Sequence, residues 1–448
     1  MSVKERSHRE HQNIKVQRAI VVSVQNPATP EESVKRSLLE LNQLLEGLGY
    51  RVDAIITQKR SSSALPTYLG EGKLLEVAAY TGGTGIVARG PEARQLKDNN
   101  KGARTLVVAD DELSPNQIRN LESALDADIL DRTAVILTVF EKRAQTKEAK
   151  LEIELARLAY ELPRIRDDHS LGDREGGGGR AARGHTNVEL AKQRIRGRMA
   201  VLRRDLDRIR FSEEGRRESR TPTGRAALVG YTNAGKSSIM RLLTGSNVLV
   251  ENKLFATLGT TIRQLTPPST PPITVVDTVG FINRLPHDLV ASFRSTLAEA
   301  RDAELLLIVA DASDENLEMQ IAITQQTLDE IGAQGKRLIL LNKIDQCNAD
   351  IRANLTKSYP SAILICAIEA SDGAMLRDRI IKFFVDRLVS ERLSIPYNRQ
   401  NVLAELRGEV VVVEEKYGDE IEVTVRATTE ILAKLKSRLA KNKFFEER

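Results

Sequence analysis

The 448-residue sequence has no tryptophan, only 4% aromatic residues and two cysteines. So few aromatic rings rule out a wide base-stacking platform, and any contact with a nucleic acid would have to run through phosphates. Cys347 and Cys366 alone make neither a disulfide framework nor a cysteine metal cluster. No run of about eighteen apolar residues occurs, which excludes a transmembrane helix of ordinary length. The opening stretch, Met1-Ser-Val-Lys-Glu-Arg-Ser-His-Arg-Glu10, carries charges where a secretory signal needs an apolar core. These absences point to the cytoplasm, with or without peripheral attachment to a membrane. What is there is ordinary for a globular protein: 41% hydrophobic, 29% charged, net charge +5. A pI of about 9.0 adds a modest pointer to an acidic partner.

In chain order, residues 1–15 read as a charged, disordered lead-in. Residues 16–143 alternate strand and helix signals, with strands expected at Arg18–Val24, Val52–Thr57, Thr84–Ala88 and Thr105–Ala109, and a helix at Ser33–Leu48 closed by Gly49. That pattern predicts a small α/β domain with a parallel sheet. Asp110-Asp111-Glu112 resembles a catalytic carboxylate cluster, but Ser114-Pro115-Asn116-Gln117 supports capping and solvation instead. Residues 144–212 read as an antiparallel hairpin. Its first helix, Thr146–Leu162, carries a leucine stripe, and its second, about Asn187–Arg210, is densely basic. A loop with Gly176-Gly-Gly-Gly179-Arg180 and Arg183-Gly184-His185 joins them. Arg180, Arg183, Lys192 and Arg196 are candidate contacts for RNA phosphates, or else part of a solvated charged face. A linker at 213–225, a nucleotide domain at 226–392 and a small C-terminal α/β domain at 393–448 complete the chain.

The chemistry is concentrated in Gly230-Tyr231-Thr232-Asn233-Ala234-Gly235-Lys236-Ser237-Ser238, between the apolar run Ala226–Val229 and a helix signal. Strand, G-x-x-x-x-G-K-S and helix, in that order, form a phosphate-binding loop. Its glycines let backbone N–H groups and the positive helix end face a polyphosphate. Lys236 supplies charge to the outer phosphates, and Ser237 offers a hydroxyl to Mg²⁺. Asp277-Thr278-Val279-Gly280 ends a strand, so that Asp277 can hold the metal through water and the Gly280 amide can sense a γ-phosphate. Phe255-Ala256-Thr257-Leu258-Gly259 lies between these motifs. Thr257 is the first candidate to complete the Mg²⁺ shell, and Thr261 the fallback. Asn342-Lys343-Ile344-Asp345 follows another apolar run. A carboxylate at Asp345 accepts both the N1 hydrogen and the exocyclic amine of guanine, a donor pair adenine lacks. Cys366-Ala367-Ile368 stands where a backbone amide would meet the guanine oxygen. The order of these motifs makes guanine nucleotide binding the expected property. Phe281 occupies the position where many GTPases carry a water-orienting glutamine, so the catalytic group is unknown and slow intrinsic turnover is expected. Asn233 either helps seat a monovalent cation such as K⁺ or stiffens the loop. His287 reads as a turn or packing residue rather than a base.

Taken together, Gly230–Ser237, Leu254-Phe-Ala-Thr-Leu258, Asp277-Thr-Val-Gly-Phe-Ile282, Leu285-Pro-His-Asp-Leu-Val290 and Phe293-Arg-Ser-Thr-Leu297 resemble the HflX family of ribosome-associated GTPases. Asp110–Ser114, Asp131-Arg-Thr133 and Thr146–Lys150 are similar to that family's N-terminal domain. The chain departs from the family pattern at Ala182–His185, where a G-P-G-E turn is usual, and at Gly259-Thr260, where Asp-Pro is frequent. The resemblance implies a protein that binds the large ribosomal subunit, is stimulated there, and couples GTP to separation of the subunits; a monomer is the expected state. A large-subunit assembly checkpoint is the alternative. Replacing Asp345 by Asn should cost about a hundredfold or more in GDP affinity and shift preference toward xanthine. Competition binding with the two nucleotides checks this, and retained guanine selectivity contradicts it.

Overall fold

The computed structural model describes residues 17–87, 105–165, 180–218, 224–245, 255, 261–278, 280–282, 294–399, 401–402 and 410–440. The chain forms two compact units, Met1–Lys142 with Ile153–Ala200, and Arg143–Glu152 with Val201–Arg448.

The first unit is built on a four-stranded sheet of β1 (Gln17–Gln25), β2 (Tyr50–Lys59), β3 (Leu106–Ala109) and β4 (Asp128–Asp131), in the order β2-β1-β3-β4. Every pair in it is parallel, as the alternating strand and helix signals require. Helix α1 (Glu31–Leu48) buries Val34, Leu38, Leu41, Leu44 and Leu45, a 3.6-period stripe, and ends at Gly49 in the left-handed region at φ 96°. Helix α2 (Glu71–Thr81) ends at Gly82, and no strand forms over Thr84–Val87. The strand expected there is not made: Gly82 and Gly85 both take positive φ, turning the chain where a ladder would need extended backbone. Residue 88 lies outside the described residues.

Helix α3 (Pro115–Leu125) starts with a reciprocal cap: Gln117 N–H donates to Ser114 Oγ (3.3 Å), and Ser114 N–H donates to Gln117 Oε1 (2.9 Å). The expected solvation of the acidic run before it does not extend to Asp110, which is 1% exposed. Arg132, at the start of α4 (Arg132–Arg143), donates from Nη1 to Asp110 Oδ1 (2.8 Å) and from Nη2 to Glu40. This cluster sits where β3 and β4 end. Its two carboxylates are compatible with burial because one guanidinium spans both. Asp111 accepts a bond from the Tyr68 hydroxyl (2.6 Å).

Helix α5 (Lys147–Glu161) runs into a 3-10 turn at Leu162–Arg164, and α6 spans Arg180–Glu218. The second helix is thus longer at both ends than its periodicity predicts. Backbone at Gly184-His185, expected as loop, and at 213–218, expected as linker, is helical.

The second unit holds a six-stranded sheet of β5 (Gly224–Gly230), β6 (Thr261–Gln264), β7 (Ile273–Asp277), β8 (Leu305–Asp311), β9 (Lys336–Asn342) and β10 (Ile363–Leu364). Its order is β10-β9-β8-β5-β7-β6, with only β6 antiparallel. Side chains alternate between two cores: Ala226, Leu228, Leu305, Leu307 and Val309 face one, and Ala227, Val229, Leu306 and Ile308 the other. The Pro267–Pro272 segment joins β6 to β7 as the expected hairpin connection. A separate antiparallel sheet, β11-β13-β12, comprises β11 (Val389–Ile395), β12 (Val411–Tyr417) and β13 (Ile421–Ala427), and packs against the helix Thr429–Ala440. No helix among the described residues is long and apolar enough to cross a membrane.

Replacing Arg132 by Met removes the cation between Glu40 and Asp110. The expected loss is about 3–5 kcal/mol of stability, read from the urea midpoint. A change below about 1 kcal/mol would show that the carboxylates are satisfied without it.

Candidate functional site

Strand β5 has β8 on one side and β7 on the other, so the chain reverses its direction of winding at the carboxyl end of β5. Ligands of open α/β sheets bind at such a switch point, and Gly230–Ser237 emerges there before α7 (Lys236–Thr244). Two glycines are required by close approach. A Cβ on Gly230 would run into the Val309 carbonyl oxygen, and one on Gly235 into Asn342 Nδ2. Gly230 and Gly235 also take φ of 150° and 96°. Asn233 is exposed with φ 62°, a conformation that asparagine tolerates better than most residues.

Lys236 is 6% exposed and curls back over its own loop, donating to the carbonyls of Gly230 (3.1 Å) and Tyr231 (2.8 Å). Burial pulls its pKa down from 10.5 to about 8, against the opposing charge of Asp277. Ser237 Oγ donates to Asp277 Oδ2 (2.8 Å), so the hydroxyl and carboxylate proposed for Mg²⁺ are already adjacent. Thr261 pairs with Asp277 across the β6–β7 ladder, which puts both on one face of the sheet. Thr257, with Ala256, Leu258 and Gly259, lies outside the described residues, as do Val279 and His287. Phe255 is buried at φ 57°.

The stretch after Asp277 is stitched to the loop. Thr278 Oγ1 donates to Leu228 O (2.8 Å), so its side chain serves the strand. Phe281 N–H donates to Gly230 O (3.0 Å), and Thr232 N–H donates to Phe281 O (2.8 Å). The Phe281 ring is buried in a core cluster with Ala227, Val229 and Val276.

At the end where the sequence places the base, Asn342 is 2% exposed and bridges two loops. Its Nδ2 donates to Ala234 O (2.9 Å), and its Oδ1 accepts from Ala367 N–H (3.0 Å). Lys343 stands in the left-handed region at φ 61°, and its Nζ donates to Asp311 Oδ2 (2.6 Å). Asp345 Oδ1 accepts from the Cys366 thiol (3.1 Å), and burial pushes that thiol's pKa upward, which keeps it protonated. The amides of Cys366 and Ala367 are used by Asp372 Oδ2 (2.6 Å) and Asn342, and the Ile368 backbone hydrogen-bonds the Cys366 sulfur. Asp311 and Asp372 escaped the sequence reading. The only local signal for Asp311 was an acid ending the apolar run Leu305–Ala310.

Of the basic candidates, Arg196 is ion-paired to Glu189 (3.0 Å) on the same helix, and Lys192 is half-buried. Arg180 and Arg183 lie in α6 by backbone. Arg198 makes a two-pronged bond to Glu154 of α5 (2.7 and 2.9 Å).

Family models match in three consecutive pieces: residues 35–141 as "GTP-binding GTPase N-terminal", 143–220 as "GTP-binding GTPase Middle Region" and 225–343 as "50S ribosome-binding GTPase". GTPase HflX of Gluconacetobacter diazotrophicus is 44% identical over 443 residues, covering 94% of this chain and 98% of that one. The chain belongs to the HflX family of GTPases. GTPase HflX of Caldanaerobacter subterraneus subsp. tengcongensis is 35% identical, covering 94% and 93% of the two chains. Among solved structures, a GTP-binding protein of the archaeon Sulfolobus solfataricus in complex with GDP is 26% identical, covering 82% of this chain and 98% of that one, with a TM-score of 0.40. As a member of this family the chain binds guanine nucleotide and hydrolyses GTP.

The Lys236 shift fixes a pH dependence. The unfolded chain holds this proton up to about pH 10.5, whereas the folded, nucleotide-free chain releases it near 8. Stability of the empty protein therefore rises with pH across that window. Phosphates restore the proton, so nucleotide affinity should fall above pH 8, by up to about tenfold per pH unit. Calorimetry at pH 9 in two buffers of different ionisation heat should show proton uptake on GDP binding; no uptake contradicts the assignment.

Proposed function

We propose that this GTPase binds the large ribosomal subunit and that its triphosphate state drives the ribosomal subunits apart. The observation that carries this reading is the double backbone clamp between the phosphate loop and Phe281. It makes the segment after Asp277 part of the phosphate site, so that gain or loss of a terminal phosphate bears directly on it. The ribosomal partner is supported by the family description "50S ribosome-binding GTPase" matched over 225–343 and by the basic residues along α6.

In this reading Asp345 accepts the two guanine donors, Asn342 and Lys343 shape the base pocket, and a backbone amide of Cys366-Ala367-Ile368 meets the guanine oxygen. Lys236 neutralises the outer phosphates and Gly280 donates its amide to the third one. The oxygen donors of Ser237, Thr257 or Thr261, and Asp277 through water, suit Mg²⁺, a hard cation that favours such ligands. Bound there, Mg²⁺ supplies charge neutralisation for phosphoryl transfer. A monovalent cation near Asn233 is a further expectation of the same site. Hydrolysis is slow in the free protein because no glutamine follows Gly280, and the ribosome accelerates it. The protein works in the cytoplasm.

Light scattering by intact ribosomes tests the reading. With GTP or a non-hydrolysable analogue, scattering should fall; with GDP it should hold. The Lys236→Ala variant should bind no nucleotide by calorimetry and leave scattering unchanged. Steady scattering with every nucleotide, alongside co-sedimentation with free large subunits, would favour the assembly checkpoint instead. Unaltered GDP affinity in Lys236→Ala would overturn the site.

A further inference from the structure

The Thr232 hydroxyl has no role in holding the loop together. Thr232 is 6% exposed, and its Oγ1 is buried without a hydrogen-bond partner among the described residues. Its backbone is already fixed by the N–H bond to Phe281 O. A Cβ built on Gly280 would lie 2.9 Å from Thr232 Cγ2 and 3.0 Å from Lys236 Nζ. The Thr232 methyl, the Gly280 backbone and the Lys236 ammonium therefore border one small volume beside the loop, and the hydroxyl branches from the same Thr232 Cβ as that methyl. A hydroxyl buried next to that volume without a partner is costly, and a loop needing only bulk at this position would be served as well by valine. The neighbouring position that carries a glutamine in many GTPases is filled by Phe281, whose ring is committed to the core.

We propose that the Thr232 hydroxyl contacts the terminal phosphoryl group of bound GTP and helps hold the attacking water, a role closed to Phe281. This inference rests on the guanine nucleotide site proposed above. In the reaction a water oxygen forms a bond to the γ-phosphorus as the bond from that phosphorus to the β–γ bridging oxygen breaks. The water's proton passes to phosphate oxygen, and GDP and inorganic phosphate leave. Thr232 is unchanged throughout. A hydroxyl can donate to a phosphoryl oxygen and accept from water at once, which a methyl group cannot.

Thr232→Val keeps the shape and removes the hydroxyl; Thr232→Ser keeps the hydroxyl and removes the methyl. For Thr232→Val, single-turnover hydrolysis should slow by about tenfold or more and affinity for a non-hydrolysable GTP analogue should fall, while GDP affinity changes less than about threefold. Thr232→Ser should retain most of the turnover. A purely structural role would lower GDP and analogue affinity alike, would not be rescued by serine, and would overturn the proposal. So would a Thr232→Val protein that hydrolyses GTP at the parental rate. Failure of the parental protein to bind GDP would instead defeat the underlying site.

Discussion

One side-chain amide joins the parts of the nucleotide site. Asn342 gives its N–H to the loop after β5 and takes an N–H from the loop after β10, while its own backbone ends β9. These segments are more than a hundred residues apart in the chain at the widest, and the amide is almost fully buried. Both its donor and its acceptor are engaged, as burial demands. The same contact explains why Gly235 has to lack a side chain. The phosphate end and the base end of the site are thus one hydrogen-bonded object, and an error in either is felt by both.

Around this amide the charged groups are prearranged. Asp311 holds Lys343, Cys366 holds Asp345, and Ser237 rests on Asp277. Each contact fixes a side chain that would otherwise lose rotamer freedom when nucleotide arrives, and such preorganisation favours tight and selective binding. The thiol on Asp345 works as a donor because burial discourages its ionisation. The depressed pKa of Lys236 has the opposite meaning: it marks a cation held short of its counter-charge.

Short-range spacing made the glycine loop, Asp277, Asn342 and Asp345 legible in the sequence, because each lies at a strand end and its chemistry needs neighbours only a few residues away. Asp311 and Asp372 were not legible, since their partners Lys343 and Cys366 are brought to them by the sheet and by the fold after β10. Helix α6 reaches beyond its periodic segment because the residues flanking that segment extend a helix already formed. Strand β11 carries Ser390, Glu391, Arg392 and Ser394, a polar run across the expected 392/393 domain boundary that gives no strand signal until β13 pairs with it. The clustered glycines after α2 undid the expected strand at Thr84. Asp110 read as a solvated acid because Arg132 and Glu40 lie far away in the sequence.

The route from Asp277 to Phe281 is anchored at both ends. The Thr278 hydroxyl is tied to Leu228, and the aromatic ring three positions on is sunk in the core. Only two residues separate these anchors. A shift of the phosphate loop therefore meets Phe281 through the backbone hydrogen bonds of Gly230 and Thr232, not through its ring.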